Sequence, residues 1–220
     1  MSGKPPLDAC DPPAHPDLEI RDSRAGFQRH VRVDVVRFRN RRFAGGWSGE
    51  RVFDVVRRGA AVAVLLYDPD RDAVVLVEQF RLAALYAGRS PWQIEAVAGL
   101  VEPGETPEAV AHREMREEAA ITAIGDLVPI QIMLPACGTL DESVHLFCAR
   151  IDSRGAGGLH GVPEEHEDIR VMVKPLSEAA AMLDSGRIES SHTIISLYWL
   201  LRHRDRLRRE WLGEDRSTSP

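Results

Sequence analysis

The chain has 220 residues and a mass of 24.5 kDa, with 44% hydrophobic and 28% charged residues and a formal net charge of -6. This composition excludes disordered and fibrous classes, and the length gives one full domain, with room for a small second lobe, whose core needs no disulfide staples. Of the 28 basic residues only Lys4 and Lys174 are lysine, so cationic recognition falls almost wholly to arginine.

Residues 1–24 hold Pro5, Pro6, Pro12, Pro13 and Pro16 and no apolar h-region, which reads as a flexible tail and not as a secretory signal. Arg29 to Arg39 alternates apolar and charged residues around Val31, Val33 and Val35, as a strand with one wet face does. Arg51 to Arg57 repeats the pattern after a Gly45-Gly46 turn, so residues 25–58 are expected to form a small N-terminal β-lobe. The main domain is expected over 59–213. Its first strands are the apolar runs Ala60 to Tyr67 and Ala73 to Gln79, separated by the turn Asp68-Pro69-Asp70-Arg71-Asp72.

A further strand is predicted over Trp92 to Ala98, then a turn-rich stretch, then a helix opened by Thr106 as N-cap and Pro107 at its first position and running to about Ala119. Strands follow at Leu127 to Met133, Ser143 to Arg150 and Ile169 to Val173. Two helices close the domain, Ser177 to Leu183 and Ser191 to Leu212, the latter with Ile194, Ile195, Tyr198 and Leu201 on one stripe. Residues 214–220 read as a disordered tail. Strands on both sides of one central helix, with helices at the end, give α+β or an α/β/α sandwich. No apolar run approaches the roughly 20 residues that span a bilayer. The three cysteines, Cys10, Cys137 and Cys148, lack metal-ligand spacing and are odd in number, which fits a reducing compartment and a cytoplasmic protein.

The chemically informative stretch is Gly99 to Ile121. On a helix, Glu114, Glu117 and Glu118 crowd nearly one face, where like charges repel unless something positive sits among them. Hard oxygen ligands of this kind suit Mg2+ or Mn2+. The bland explanation is a solvated helix face with an Arg113 to Glu117 pair. Spacing decides against it: Gly99, Glu105, Arg113-Glu114 and Glu117-Glu118 fix six positions, and a chance match in this chain is on the order of 10^-5. Charge tells the same story. Residues 99–121 hold six acids and two arginines, and residues 160–168 hold four acids and neither Lys nor Arg, so these two segments account for more than the whole net charge.

This pattern is identified as the Nudix box, with Ala120 standing where the family has glycine at the helix exit. Alanine in a left-handed conformation there costs about 1 kcal/mol and removes no metal ligand. From about Val35 to Leu212 the chain resembles the ADP-ribose diphosphatase branch of the Nudix hydrolases, of the dimeric bacterial kind with an N-terminal β-lobe. Matching segments include Arg37-Phe38-Arg39, Val74 to Arg81, Ser90 to Glu95, His160-Gly161, Glu167 to Val171 and Arg209 to Leu212, while the loop Leu134 to Thr139 departs by about one residue from the usual Ser-Pro-Gly pattern. The resemblance implies a Nudix α/β/α sandwich with a mixed sheet, whose lobe at 25–58 serves dimerisation and substrate. It also implies Mg2+-dependent hydrolysis of ADP-ribose to AMP and ribose 5-phosphate. Another nucleoside diphosphate sugar such as GDP-mannose, and a non-catalytic nucleotide-binding module, are the alternatives.

Residue by residue, the resemblance implies metal on Glu114 and Glu118, the Ala98 backbone carbonyl as a further ligand, and Glu117 in or next to the coordination sphere. The acidic loop 160–168 offers two carboxylates for the general base; the resemblance implies Glu165 in that role, with Glu167 binding metal when substrate is present, and the register leaves their exchange open. Arg58 and Arg81 match positions that meet the anionic substrate, which a guanidinium fork suits. Leu100 matches a backbone contact and Glu142 a hydroxyl or base contact; Phe27 is a candidate for stacking on adenine from the N-terminal lobe, with simple packing as the alternative. The implied partners are a small nucleoside diphosphate sugar and a second copy of the chain. Nucleic acid is not among them, because Asp205 and Glu210 interrupt the basic run Arg202 to Arg209 in a net acidic chain. No membrane partner is expected either.

Overall fold

The structure is a computed structural model that describes residues 14–29, 31–162, 164 and 166–213. The first thirteen residues of the tail expected over 1–24, and the whole tail expected over 214–220, therefore lie outside the described residues. The chain divides into two compact units, residues 1–59 with 134–143, and residues 60–133 with 144–220.

In the first unit, β1 (Leu18–Gln28), β2 (Arg32–Asn40) and β3 (Arg51–Arg57) form an antiparallel sheet in that order. Residues 18–24 are thus strand where the sequence suggested tail. Buried Asp34 on β2 accepts from Arg32 at 2.6 Å and Arg57 at 3.0 Å, so two arginines compensate its charge. Residues 134–143 join by backbone pairing: Val56 donates to the Thr139 carbonyl at 2.8 Å, and the Asp141 carboxylate accepts the Arg58 N–H at 2.7 Å.

The second unit is built on an eight-stranded sheet containing β4 (Ala60–Asp68), β5 (Ala73–Phe80), β6 (Trp92–Glu95), β7 (Val97–Leu100), β8 (Val128–Met133), β9 (Ser143–Arg150), β10 (Gly158–His160) and β11 (Ile169–Pro175). Its order is β10-β11-β5-β4-β9-β8, with β6 on β5 and β7 on β4. Among the described residues four helices accompany it: α1 (Leu82–Tyr86), α2 (Pro107–Ala119), α3 (Leu176–Asp184) and α4 (Ser191–Leu212). The period of two in β4 and β5 builds the layers. Val62, Val64, Leu66, Val75 and Val77 pack with Val110, Ala111, Met115 and Ala119 of α2. Leu65, Tyr67, Val74 and Leu76 pack on the opposite side with α3 and α4 through Ala179, Leu183, Leu197 and Leu200. A strand covered on both faces must be apolar at every position, which is why Ala60 to Tyr67 is a continuous run. The fold is α+β, a mixed sheet between helical layers, as the sequence indicated.

Three elements were not visible in the sequence: β1, the five-residue α1 and the three-residue β10. The strand expected over Trp92 to Ala98 is two strands, since the chain leaves the β5 ladder after Glu95 and joins the β4 ladder at Val97. No helix among the described residues is long and apolar enough to cross a membrane.

Candidate active site

Helix α2 begins as its sequence dictates, with the Thr106 side chain accepting from the Ala109 N–H at 3.2 Å and Pro107 occupying the first turn. It ends at Ala120, which adopts φ 53 and ψ 34, so alanine here does take the left-handed conformation that glycine supplies without cost. The N–H groups of Ala120 and Ile121 close the helix on the Arg116 and Met115 carbonyls.

The inner face of α2 presents Glu114 and Glu118 to β7. Glu118 is only 3% exposed; its Oε2 accepts the Ala98 N–H at 3.1 Å and its Oε1 faces the Gln79 amide at 3.5 Å. Burial, partly offset by the Ala98 N–H and reinforced by the Glu114 charge, pushes the Glu118 carboxyl up to about 8. Glu114 lies against Gly99, where an added Cβ would fall into the carboxylate and within 2.5 Å of Glu114 Cγ. Burial pushes Glu114 up to about 7, with Arg113 opposing and Glu117 and Glu167 adding to the rise. Like-charge repulsion places Glu114, Glu117, Glu118 and Glu167 in one electrostatic site.

Arg113 is the positive group among them. Its Nη1 lies 2.7 Å from Glu114 Oε1 and 3.0 Å from Glu117 Oε2, its Nε is 3.5 Å from Glu105, and Nη2 meets the Leu100 carbonyl at 3.5 Å. One guanidinium thus ties the loop after β7 to the helix and leaves Glu118 to the Ala98 amide. Glu167 is fixed from its own loop, accepting the Val162 N–H at 3.1 Å, and Gly161 at φ 110 allows that close approach. Among the described residues, no three His, Cys, Asp or Glu side chains already converge at ligand distance. The donor set nevertheless fits a hard divalent cation: only oxygen donors, two of them on buried carboxylates whose charge burial disfavours.

Arg81, at the end of β5, donates from Nε to buried Glu95 at 2.8 Å and keeps its side chain 43% exposed. Its charge also lowers the Glu118 carboxyl, which puts it beside the acidic cluster. The sequence-predicted residues Ala98, Leu100, Glu114, Glu117, Glu118, Glu167 and Arg81 all belong to the second unit. Phe27, Arg58 and Glu142 belong to the first: Phe27 is exposed on β1, and Arg58 Nε pairs with Glu142 at 3.0 Å. Glu165 lies outside the described residues. Sequence reasoning missed Gln79 and Glu95 as contacts of site residues, although both sit in the matching segments Val74 to Arg81 and Ser90 to Glu95. It also counted Gly99 by spacing without the steric reason that requires it.

The family model of the NUDIX domain matches residues 57–194. The chain is 38% identical over 198 residues to the ADP-ribose pyrophosphatase of Haemophilus influenzae, covering 89% of this chain and 91% of that protein. It is 37% identical over 195 residues to the ADP-ribose pyrophosphatase of Escherichia coli (strain K12), covering 89% and 93%. A GDP-mannose pyrophosphatase of Citrobacter koseri is 36% identical over 149 residues, covering 67% of this chain and 76% of the other. A solved structure described as an ADP compounds hydrolase superposes with a TM-score of 0.66 at 18% identity, covering 94% of this chain and all of that one.

Proposed function

We propose that this chain, which belongs to the NUDIX domain family, is a hydrolase that cleaves the diphosphate of ADP-ribose to AMP and ribose 5-phosphate. The observation that carries the reading is buried Glu118 and part-buried Glu114 packed on the Ala98-Gly99 backbone, in a chain similar to ADP-ribose pyrophosphatases along 89% of its length. A GDP-mannose activity is the second reading, favoured only by relatives that cover 67% of the chain.

Glu114, Glu118 and the Ala98 carbonyl would hold the cation, Mg2+ or Mn2+, with Glu117 beside them and Glu167 added when substrate is bound. When bound, such a cation neutralises phosphate oxygens and lowers the pKa of a ligated water. Glu165 takes the proton from the attacking water, since the helix carboxylates are committed to the cation. Water adds to one phosphorus, the bridging P–O bond breaks, and each product leaves with one phosphate. Arg81 meets the diphosphate through the guanidinium face that Glu95 leaves open, and Glu95 fixes its direction. Leu100 offers a backbone contact, and Arg58, Glu142 and Phe27 are further candidates for contacting the nucleoside diphosphate sugar. The protein acts in the cytoplasm as a homodimer whose 25–58 lobe contributes to dimerisation, with no nucleic acid or membrane partner.

The test has three arms. Glu114→Gln and Glu118→Gln each abolish turnover while far-UV dichroism stays unchanged; unchanged turnover in both refutes the cation site. ADP-ribose exceeds GDP-mannose in kcat/KM, and the reverse ranking transfers the assignment to the second reading. Glu165→Gln loses kcat by orders of magnitude and Glu167→Gln only weakly; the reverse pattern exchanges their roles.

A further inference from the structure

The stretch that links Arg81's partner to the carbonyl on the cation changes ladders midway. β6 pairs with β5, with Val77 opposite Glu95, and β7 pairs with β4, with Val64 opposite Val97, so Ala96 stands between two ladders. Ala96 is 1% exposed, and a buried backbone N–H outside a ladder needs another acceptor. It donates at 2.8 Å to Oγ1 of Thr193, a residue 97 positions further along the chain, in the first turn of α4, and 0% exposed itself. On one side of this anchor, Glu95 holds Arg81 Nε at 2.8 Å. On the other, the Ala98 N–H reaches Glu118 at 3.1 Å and Gly99 lies against Glu114.

We propose that Thr193 is a positioning residue that sets, through the Ala96 peptide, both the direction of Arg81 and the placement of the Ala98 backbone over the α2 carboxylates. Neighbours on both sides are fixed by their own ladders, so the single unladdered peptide is where the register between substrate arginine and cation site is decided. Thr193 touches neither substrate nor cation. A hydroxyl is the right group because its oxygen accepts the Ala96 N–H where both residues are buried. The inference rests on the assignment of Ala98 and Glu118 to the cation and of Arg81 to the diphosphate.

The experiment compares Thr193→Val, which keeps the shape and removes the acceptor, with Thr193→Ser, which keeps the acceptor. Mn2+ binding is followed by EPR on protein without substrate, KM and kcat for ADP-ribose are measured with Mg2+, and Tm is recorded for each variant. Thr193→Val is expected to raise both the Mn2+ Kd and KM about tenfold, or about 1.4 kcal/mol each, and Thr193→Ser to restore both to within about threefold. Glu95→Gln separates the two sides by raising KM while leaving the Mn2+ Kd unchanged. A lowered Tm in Thr193→Val with Mn2+ Kd and KM unchanged reduces Thr193 to packing and overturns the proposal. Should Thr193→Val not fold, Thr193→Ala makes the same comparison with Thr193→Ser. Wild-type protein that binds no Mn2+ overturns the cation-site assignment and this inference with it, whereas wild-type binding with indifferent Thr193 variants overturns this inference alone.

Discussion

Replacing Gly99 with alanine asks whether the approach of β7 to α2 is a catalytic requirement. The position is not in the left-handed region, so alanine is free of backbone strain there, and loss of unfolded-state entropy stabilises the fold by up to about 1 kcal/mol. The new methyl, however, would lie 2.5 Å from Glu114 Cγ and within the carboxylate beyond it. Its closest approach is 1.9 Å to Glu114 Oε1, so restoring an ordinary contact near 3.4 Å requires the carboxylate to retreat by about 1.5 Å, and a displacement of an ångström or more at a ligand costs on the order of 100-fold in rate. We therefore expect kcat/KM for ADP-ribose to fall about 100-fold, or about 2.7 kcal/mol, with Tm within a few degrees of wild type. AMP release measured chromatographically across a Mg2+ series gives the rate, and calorimetry gives the stability. Activity within about threefold of wild type would refute the argument, because it would mean that Glu114 can leave Gly99 without consequence.

Three further outcomes follow from the same geometry. The Glu118 carboxyl rises from an ordinary value of 4.5 to about 8 in the fold, and Glu114 to about 7, so the folded state holds protons that the unfolded chain releases. That contribution is full below about pH 4.5 and is lost as pH rises through 7 to 8, so cation-free protein loses a few kcal/mol of stability over this window. Thermal melts at pH 5 and 8 without cation check it, and a Tm that does not fall between them contradicts the buried-carboxylate account. Since the cation needs both groups ionised, calorimetry at pH 6 in buffers of different ionisation enthalpy is expected to show proton release on Mn2+ binding; heats independent of the buffer would contradict it. Ala120→Gly relieves the left-handed alanine and raises stability by about 1 kcal/mol with kcat/KM unchanged, as denaturant unfolding and the AMP assay would show; no gain would place the strain elsewhere.

The parts of the fold legible in the sequence are those whose burial is regular. β4 is covered on both faces and shows as one apolar run, and α2 announces itself through Thr106, Pro107 and the spacing of its acids. β1 escaped because Arg21 to Gln28 are all exposed: with neither face buried, nothing selects an alternation. The break at Ala96 escaped for a different reason, since changing ladder partners leaves no mark on composition, and the compensating acceptor, Thr193, lies in another element. The candidate site divides in the same way. Spacing alone singled out Glu114, Glu117 and Glu118, because one helix fixes their mutual positions. It was silent on Gln79 and Glu95, whose contacts with Glu118 and Arg81 arise from pairings between separate strands and helices. The acidic excess of 99–121 and 160–168 was visible as arithmetic, but its meaning is steric as much as electrostatic. Arg113 already answers Glu114 and Glu117 from within α2, while β7 buries Glu118 against the Ala98 N–H and sets Gly99 on Glu114. A solvated acidic face would relax its repulsion into water, whereas the strand that offers the Ala98 carbonyl shields Glu118 almost fully and Glu114 in large part. That coincidence of burial, negative charge and a backbone oxygen separates a cation site from an acidic helix.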